Sequence, residues 1–182
     1  MMQKVLVLGS GGAGKSTFAR ELAERLQLEV IHLDAHYWKS GWVEPSQEEW
    51  RACVEALIQR EQWVMDGNYS ATLDLRLPAA DTVIFLDLPR LLCLWRIVRR
   101  RFQYAGTTRP DMAIDCPEQL NWQFIRYVWN YPQQRRPQLL RRLQHLSEHQ
   151  TAIVLTSPAQ VRQFLQKISA PKTGHSGVEL SS

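Results

Sequence analysis

The sequence predicts an α/β fold: a five-stranded parallel sheet flanked by helices in three layers. Three observations predict it. Short apolar runs alternate with segments of helical periodicity along the chain, the pattern of parallel strands joined by crossover helices. The runs are continuous, as in strands covered on both faces. The 182 residues, 45% hydrophobic and 22% charged, suit one compact domain with a substantial core.

Lys4–Leu8 (KVLVL) is the first strand. A glycine-rich turn leads into a helix over Lys15–Leu26, with Phe18, Ala19, Leu22, Ala23 and Leu26 at helical spacing. Glu29–Leu33 is the second strand. Pro45 and Ser46 open another helix, in which Ser46 and Glu49 are spaced as a capping box. Its core stripe is Trp50, Cys53, Val54, Leu57 and Ile58. Gln62–Met65 is the third strand, ending at Asp66-Gly67, and Thr82–Leu86 is the fourth. Pro89 starts a helix with Leu91, Leu94, Trp95, Val98 and Phe102 on one face. Gln103–Cys116, with Gly106, Pro110 and adjacent threonines, reads as a loop. Pro117 then takes the first position of a helix with the stripe Leu120, Phe124, Tyr127, Val128 and Tyr131. Pro132 breaks it, and a further helix runs to about Leu146. Ala152–Leu155 is the fifth strand. Ser157 caps a last helix that buries Val161, Phe164, Leu165 and Ile168. One domain therefore spans residues 1–168, and the polar stretch 169–182 reads as a disordered tail.

Several classes are excluded. No run approaches the roughly 18 apolar residues of a membrane helix, and the first residues lack a secretory signal, so a cytoplasmic location is expected. Cys53, Cys93 and Cys116 are odd in number and far apart, which excludes a disulfide framework or a CxxC metal site. His32, His145, His149 and His175 form no metal set either. The net charge of +4 is unevenly placed. Between Arg90 and Arg142 stand eleven arginines, no lysine and three acids, a local balance of +8. Concentrated guanidinium groups imply an anionic partner, either phosphates on a small molecule or nucleic acid.

Residues 9–17, Gly-Ser-Gly-Gly-Ala-Gly-Lys-Ser-Thr, match GxxxxGK[ST] in full, between a strand and a helix as the motif requires. Glycines at 9, 11, 12 and 14 let the backbone curl so that its N–H groups, those of Ala13 and Thr17 among them, surround phosphate oxygens. The helix N-terminus adds partial positive charge. Lys15 reaches the β- and γ-phosphates and the Ser16 hydroxyl ligates Mg²⁺. The motif implies ATP and magnesium and leaves the fate of the γ-phosphate open.

Ligands of parallel sheets lie outside the carboxyl ends of the strands. Asp66 ends a strand beside the first, where it holds the magnesium's water shell or caps the next turn. Asp34 ends the second strand, facing an acceptor or capping a helix. His36, Tyr37, Trp38, Trp42 and Tyr69 fall in the same region. They either stack on a planar or sugar-like acceptor or form a small satellite core under the Ser46–Arg60 helix.

The rest of the chain carries a resemblance. Val64–Tyr69, Ala80–Pro89, Arg96–Arg100 and Leu155–Pro158 resemble segments of adenylate kinases. More closely, Asp34–Trp38, Gly41-Trp42, Asp66–Tyr69, Leu94–Arg96, Arg109–Met112 and Trp129–Pro132 resemble the bacterial DNA topology modulation protein family (FlaR-type), a branch of the adenylate-kinase-like P-loop NTPases. The match covers about residues 3–168. It implies a short lid at about residues 101–117, Arg96 over the adenine, Arg100 on phosphates, and Arg135 or Arg136 closing the site as a catalytic arginine. It also implies that Asp34 faces the acceptor, either orienting its hydroxyl as a base or partnering the magnesium through its water shell, and that Gly67, Asn68 and Tyr69 contact the acceptor.

The expected function is transfer of the γ-phosphoryl of Mg-ATP to a small-molecule or nucleotide acceptor. The alternative is a nucleic-acid-associated ATPase or regulator of DNA topology, which steep salt dependence of binding would reveal. A nucleotide-binding scaffold without turnover is a third possibility. Nothing in the pattern names the acceptor or the oligomeric state.

Overall fold

The structure is a computed structural model and describes residues 2–103 and 122–168. Its strands are β1 Lys4–Gly9, β2 Val30–His32, β3 Trp63–Asp66, β4 Thr82–Leu86 and β5 Thr151–Leu155. Its helices are α1 Lys15–Leu26, α2 Leu33–Tyr37, α3 Gln47–Ile58, α4 Leu73–Ala79, α5 Arg90–Gln103, α6 Trp122–Gln134, α7 Arg136–Gln144 and α8 Pro158–Lys167, with a 3₁₀ turn at Ser70–Thr72. The five strands form one parallel sheet in the order β2-β3-β1-β4-β5.

Successive side chains of a strand point to opposite faces, so the continuous apolar strands feed two cores. Val5 and Val7 of β1 join Phe18, Leu22, Ile84, Val128 and Leu165 on one face. Leu6 and Leu8 join Ile31, Trp50, Val54, Trp63 and Phe85 on the other. Three layers result. After β1 the chain passes outward to β2, returns to β3 and crosses to β4, so the switch point lies at the carboxyl end of β1. Register aligns Val7 with Asp66, His32 with Asp66, and Gly9 with Leu86. The strand ends that carry chemistry therefore stand side by side.

The capping box forms: the Glu49 N–H donates to Ser46 Oγ at 3.1 Å, and the Ser46 N–H donates to the Glu49 carboxylate at 2.8 Å. Ser157 caps α8 by accepting from the Gln160 N–H. Four expectations are corrected. First, β2 stops at His32, and Asp34 lies in the first turn of α2; Leu33, fully buried, turns the chain into the core before the strand can continue. Second, α4 and its preceding 3₁₀ turn are absent from the sequence reading, because Pro78 disguises a seven-residue helix.

Third, Pro132 sits inside α6, where the Arg135 N–H still donates to the Tyr131 carbonyl. The break falls after Gln134, where the Pro137 ring would crowd the Gln133 carbonyl and begins α7 instead. Fourth, the apolar stripe of α5 is not its core face. Cys93 and Ile97 are buried, whereas Leu91, Trp95, Val98 and Phe102 are exposed. Val161, Phe164 and Ile168 of the last helix are only partly buried; Leu165 is its one buried residue. The expected lid falls largely outside the described residues, as do Pro117, Leu120 and the stretch 169–182. No helix among the described residues is long and apolar enough to cross a membrane.

Candidate functional site

The turn after β1 holds Gly12 and Gly14 in the left-handed region, at φ 75° and 89°, where side chains with a Cβ are strained. The Ala13 N–H donates back to the Ser10 carbonyl, closing the turn beneath the N-terminus of α1. Lys15 arches over it and donates from Nζ to the Ser10 carbonyl at 3.0 Å. Burial pushes its pKa down, and the Asp66 and Asp34 carboxylates pull it back up. The ammonium is thus held in poor solvent, ready for an anion.

Helix α5 packs so closely that a Cβ on Gly12 would stand 2.2 Å from the Cys93 carbonyl oxygen. Gly12→Ala should therefore displace either the loop or α5, lowering stability by about 2–3 kcal/mol. Chemical denaturation checks this, and an unchanged midpoint would contradict the geometry. From α5 the Arg96 guanidinium donates to the Ala13 carbonyl at 3.0 Å. Arg99 and Arg100 line the same cavity.

Ser16 Oγ donates to Asp66 Oδ2 at 2.9 Å. The other Asp66 oxygen lies 2.5 Å from His32 Nδ1. A hydroxyl and a carboxylate, both hard oxygen donors, beside the phosphate turn suit Mg²⁺. His32 was given no role in the sequence reading. Its signal is the β2–β3 register, which pairs it with Asp66 and which no sequence spacing reveals.

The segment after β3 is stapled from below. Arg76 of α4, fully buried, donates to the carbonyls of Gly67 at 3.0 Å, Asn68 at 2.8 Å and Tyr69 at 2.7 Å. Burial pushes its pKa down to about 10. So fixed, Asn68 Oδ1 accepts from the Gly9 N–H at 3.3 Å and its amide donates to the Tyr127 hydroxyl at 3.0 Å. The Tyr69 hydroxyl donates to Asp34 Oδ1 at 2.7 Å. Burial, with Asp34 beside it, raises the Tyr69 pKa far above the ordinary phenol range.

A single cavity of about 1180 Å³ joins these groups. Gly11, Gly12, Ala13, Gly14, Lys15, Ser16, Thr17, Asp34, Trp38, Asp66, Gly67, Asn68, Tyr69, Arg96 and Arg100 line it, as the sequence led us to expect. Sequence reasoning missed Glu44, Tyr127 and the α8 residues Val161, Arg162 and Leu165 on its wall.

Four expected site residues lie elsewhere. Gly9 packs against Leu86 with φ 154° and shapes the turn without lining the cavity. His36 is exposed on the outer side of α2, towards Arg60, because helical geometry turns it away from Asp34. Tyr37 is part of the core, packed between Trp50 and Tyr69 at 5.0 and 4.5 Å between ring centroids. Arg136 grips Asp87 instead, with Nε at 2.8 and 2.9 Å from its two oxygens and the terminal nitrogen at 2.8 Å. That bidentate pair ties α7 to the end of β4 and takes Arg136 out of the cavity.

Trp38 and Trp42 extend the aromatic wall, meeting at 5.1 Å and 71°. Trp42 adopts φ 65°, a left-handed backbone that costs a bulky residue about 1–3 kcal/mol. The Lys39 N–H, donating to the Val43 carbonyl at 2.9 Å, closes the turn that holds it there.

No protein-family model matches the chain, and no curated protein matches its sequence. Solved structures do share its fold. Shikimate kinase from Acinetobacter baumannii in complex with shikimate aligns at a TM-score of 0.58 and 20% identity over 92% of this chain and 91% of that one. Shikimate kinase from Bacteroides thetaiotaomicron aligns at 0.54 and 14% identity, over 92% and 96%. A gluconokinase from Sinorhizobium meliloti 1021 aligns at 0.51 and 16% identity, over 92% and 90%. The fold is that of the P-loop kinases.

Proposed function

We propose that the chain is a small-molecule kinase that transfers the γ-phosphoryl of Mg-ATP to a hydroxyl acceptor. One observation carries this: the phosphate turn and an aromatic, carboxylate-bearing chamber are two ends of one cavity, with Lys15 and Asp34 close enough for their charges to interact. A nucleotide scaffold has no need of the second chamber. That shikimate kinases and a gluconokinase share the fold adds support.

Lys15, Arg96 and Arg100 neutralise the triphosphate and the charge that spreads over the transferring group. Val161 and Leu165 offer an apolar wall to the base. Ser16 and Asp66 hold magnesium, which supplies charge neutralisation on the phosphates when bound. The Asp34 carboxylate, oriented by Tyr69, accepts the acceptor's hydroxyl proton. The hydroxyl oxygen bonds to the γ-phosphorus as the bond from that phosphorus to the bridging oxygen breaks and ADP leaves. We place the whole activity in residues 1–168.

Within this fold the segments Asp34–Trp38, Asp66–Tyr69 and Trp129–Pro132 favour membership of the topology modulation branch. That name concerns a phenotype, so an effect on DNA would follow indirectly from the phosphorylated product. Five of the block's eleven arginines have separate tasks: Arg96, Arg99 and Arg100 line the cavity, Arg136 holds Asp87, and Arg90 lies 4.1 Å over the Trp129 ring. A continuous phosphodiester track needs them on one open face.

The test is ADP release from Mg-ATP with a panel of nucleosides, nucleoside monophosphates and small alcohols, beside duplex DNA at several salt concentrations. Stimulation by a small hydroxylated compound is expected, with none by DNA. Salt-sensitive stimulation by DNA alone would overturn the proposal.

A further inference from the structure

The cavity is electrically lopsided. Its described cations, Lys15, Arg20, Arg96, Arg99, Arg100 and Arg162, stand on α1, α5 and α8 around the glycine turn and outnumber the acids at that end, Glu21 and Asp66. The far end is built from α2, the segment after it, and Tyr69. There the cavity wall carries the carboxylates of Asp34 and Glu44 and the rings of Trp38, Trp42 and Tyr69. No lysine, arginine or histidine is among the described lining residues at that end. Lys39, nearby in sequence, turns outward to Glu49 at 3.2 Å, and His36 is outside the cavity.

Taking the kinase reading as its premise, we propose that the acceptor is a hydroxylated amine, bound as its cation. Indole and phenol faces attract ammonium groups, and carboxylates beside them add to the attraction. The rings are fixed in advance: Trp38 abuts Tyr37 at 5.0 Å and 89°, Tyr37 abuts Tyr69 at 4.5 Å, and Trp42 is locked in its left-handed turn. A wall so ordered loses little freedom when a ligand arrives.

The two carboxylates divide the work by position. Asp34 is the nearer to Lys15, since its charge acts on that ammonium, and receives the reacting hydroxyl. Glu44 lies at the cavity edge beside Tyr37, and with Trp38 and Trp42 holds the ammonium. Transfer proceeds as described for any hydroxyl: the oxygen–phosphorus bond forms, ADP departs with the electrons of the broken bond, and the proton goes to Asp34. The ammonium stays intact. An acceptor carrying a carboxylate at the same place meets like charge.

The experiment uses the full chain and three matched sets of probes. Choline stands beside 3,3-dimethylbutan-1-ol, its neutral isostere; ethanolamine and glucosamine stand beside ethylene glycol and glucose; glycolate and gluconate serve as acids. ADP release under Mg-ATP is read for each. At least one amine should exceed its neutral partner by ten-fold or more in kcat/KM, and both acids should fall below the neutral compounds. Glu44→Gln should then shrink the amine-to-neutral ratio at least five-fold, a change that mere structural damage does not produce because both substrates would suffer alike. A neutral or acidic probe preferred over its amine overturns the inference while leaving the kinase reading intact. Failure of all amines overturns it too. The kinase reading fails separately, if the chain does not bind Mg-ATP or if no hydroxyl compound of the wider panel raises ADP release.

Discussion

Lys15→Ala lowers ATP-dependent phosphoryl transfer by at least about 10³-fold in kcat/KM, because one buried, preorganised cation facing the transferring group is worth several kcal/mol. The fold survives. In the wild type the Lys15 ammonium is an uncomfortable charge, its pKa depressed by burial, so its removal leaves stability at neutral pH unchanged or slightly raised. The pH dependence has a definite sign. The folded pKa lies below the unfolded value, so over the window between them the unfolded chain keeps a proton that the folded chain has lost. Wild-type stability therefore gains from Lys15 as pH rises through that window, whose upper end is the ordinary lysine value. The variant lacks this gain. Denaturant titrations at pH 7 and pH 10 on both proteins, with coupled ADP assays, check the two statements. Turnover in the variant comparable to wild type would defeat the assigned role.

Arg76→Met is the largest expected effect on the fold. The substitution deletes the guanidinium donors to the Gly67, Asn68 and Tyr69 carbonyls; the Tyr69 carbonyl keeps the Thr72 N–H and hydroxyl, whereas the other two lose their donor, at about 1–3 kcal/mol for each buried acceptor left without a partner. Removing a buried guanidinium recovers part of that, since its desolvation was itself unfavourable. We expect a net loss of about 3 kcal/mol, or about 6–12 °C in Tm for a domain of this size. Because Asn68 and Tyr69 ride on the stapled segment, the Asn68 bridge to Gly9 and the Tyr69 bond to Asp34 loosen with it. Thermal melts measure the first effect. Tyr69→Phe in the wild-type background, which removes the hydroxyl's bonds to Asp34 and Trp38 and leaves the Arg76 staple in place, should weaken transfer without a melt of that size.

What the sequence made legible follows the physics of each element. The phosphate turn was readable because glycine spacing, a strand before and a helix after are all local. Strands β1, β3 and β4 were readable because burial on both faces leaves continuous apolar runs; β5, largely exposed, was readable from its apolar composition alone. The capping box at Ser46 was readable because it is a three-residue relation. His32 was illegible because its partner stands on the neighbouring strand, and register is not written locally. Arg76 was illegible because a buried arginine looks like any surface one until three carbonyls converge on it. Helix α5 misled for a different reason. Its polar face lines the cavity: Arg96, Arg99 and Arg100 turn inward, and Leu91, Trp95 and Phe102 are left outside. Polarity marks the solvent side only where the interior is apolar. Arg136 was assigned to the cavity from the resemblance, and its pairing with Asp87 takes it elsewhere.

The contact between Gly12 and the Cys93 carbonyl leaves the phosphate turn without slack of its own. With no space even for a methyl group between them, the turn and the start of α5 must be displaced as one piece. Occupancy of the turn should thus be audible at a distance. Amide hydrogens in the Cys93–Ile97 turn should exchange with deuterium more slowly once a nucleotide is seated, providing a label-free gauge of loading that requires no knowledge of the second substrate.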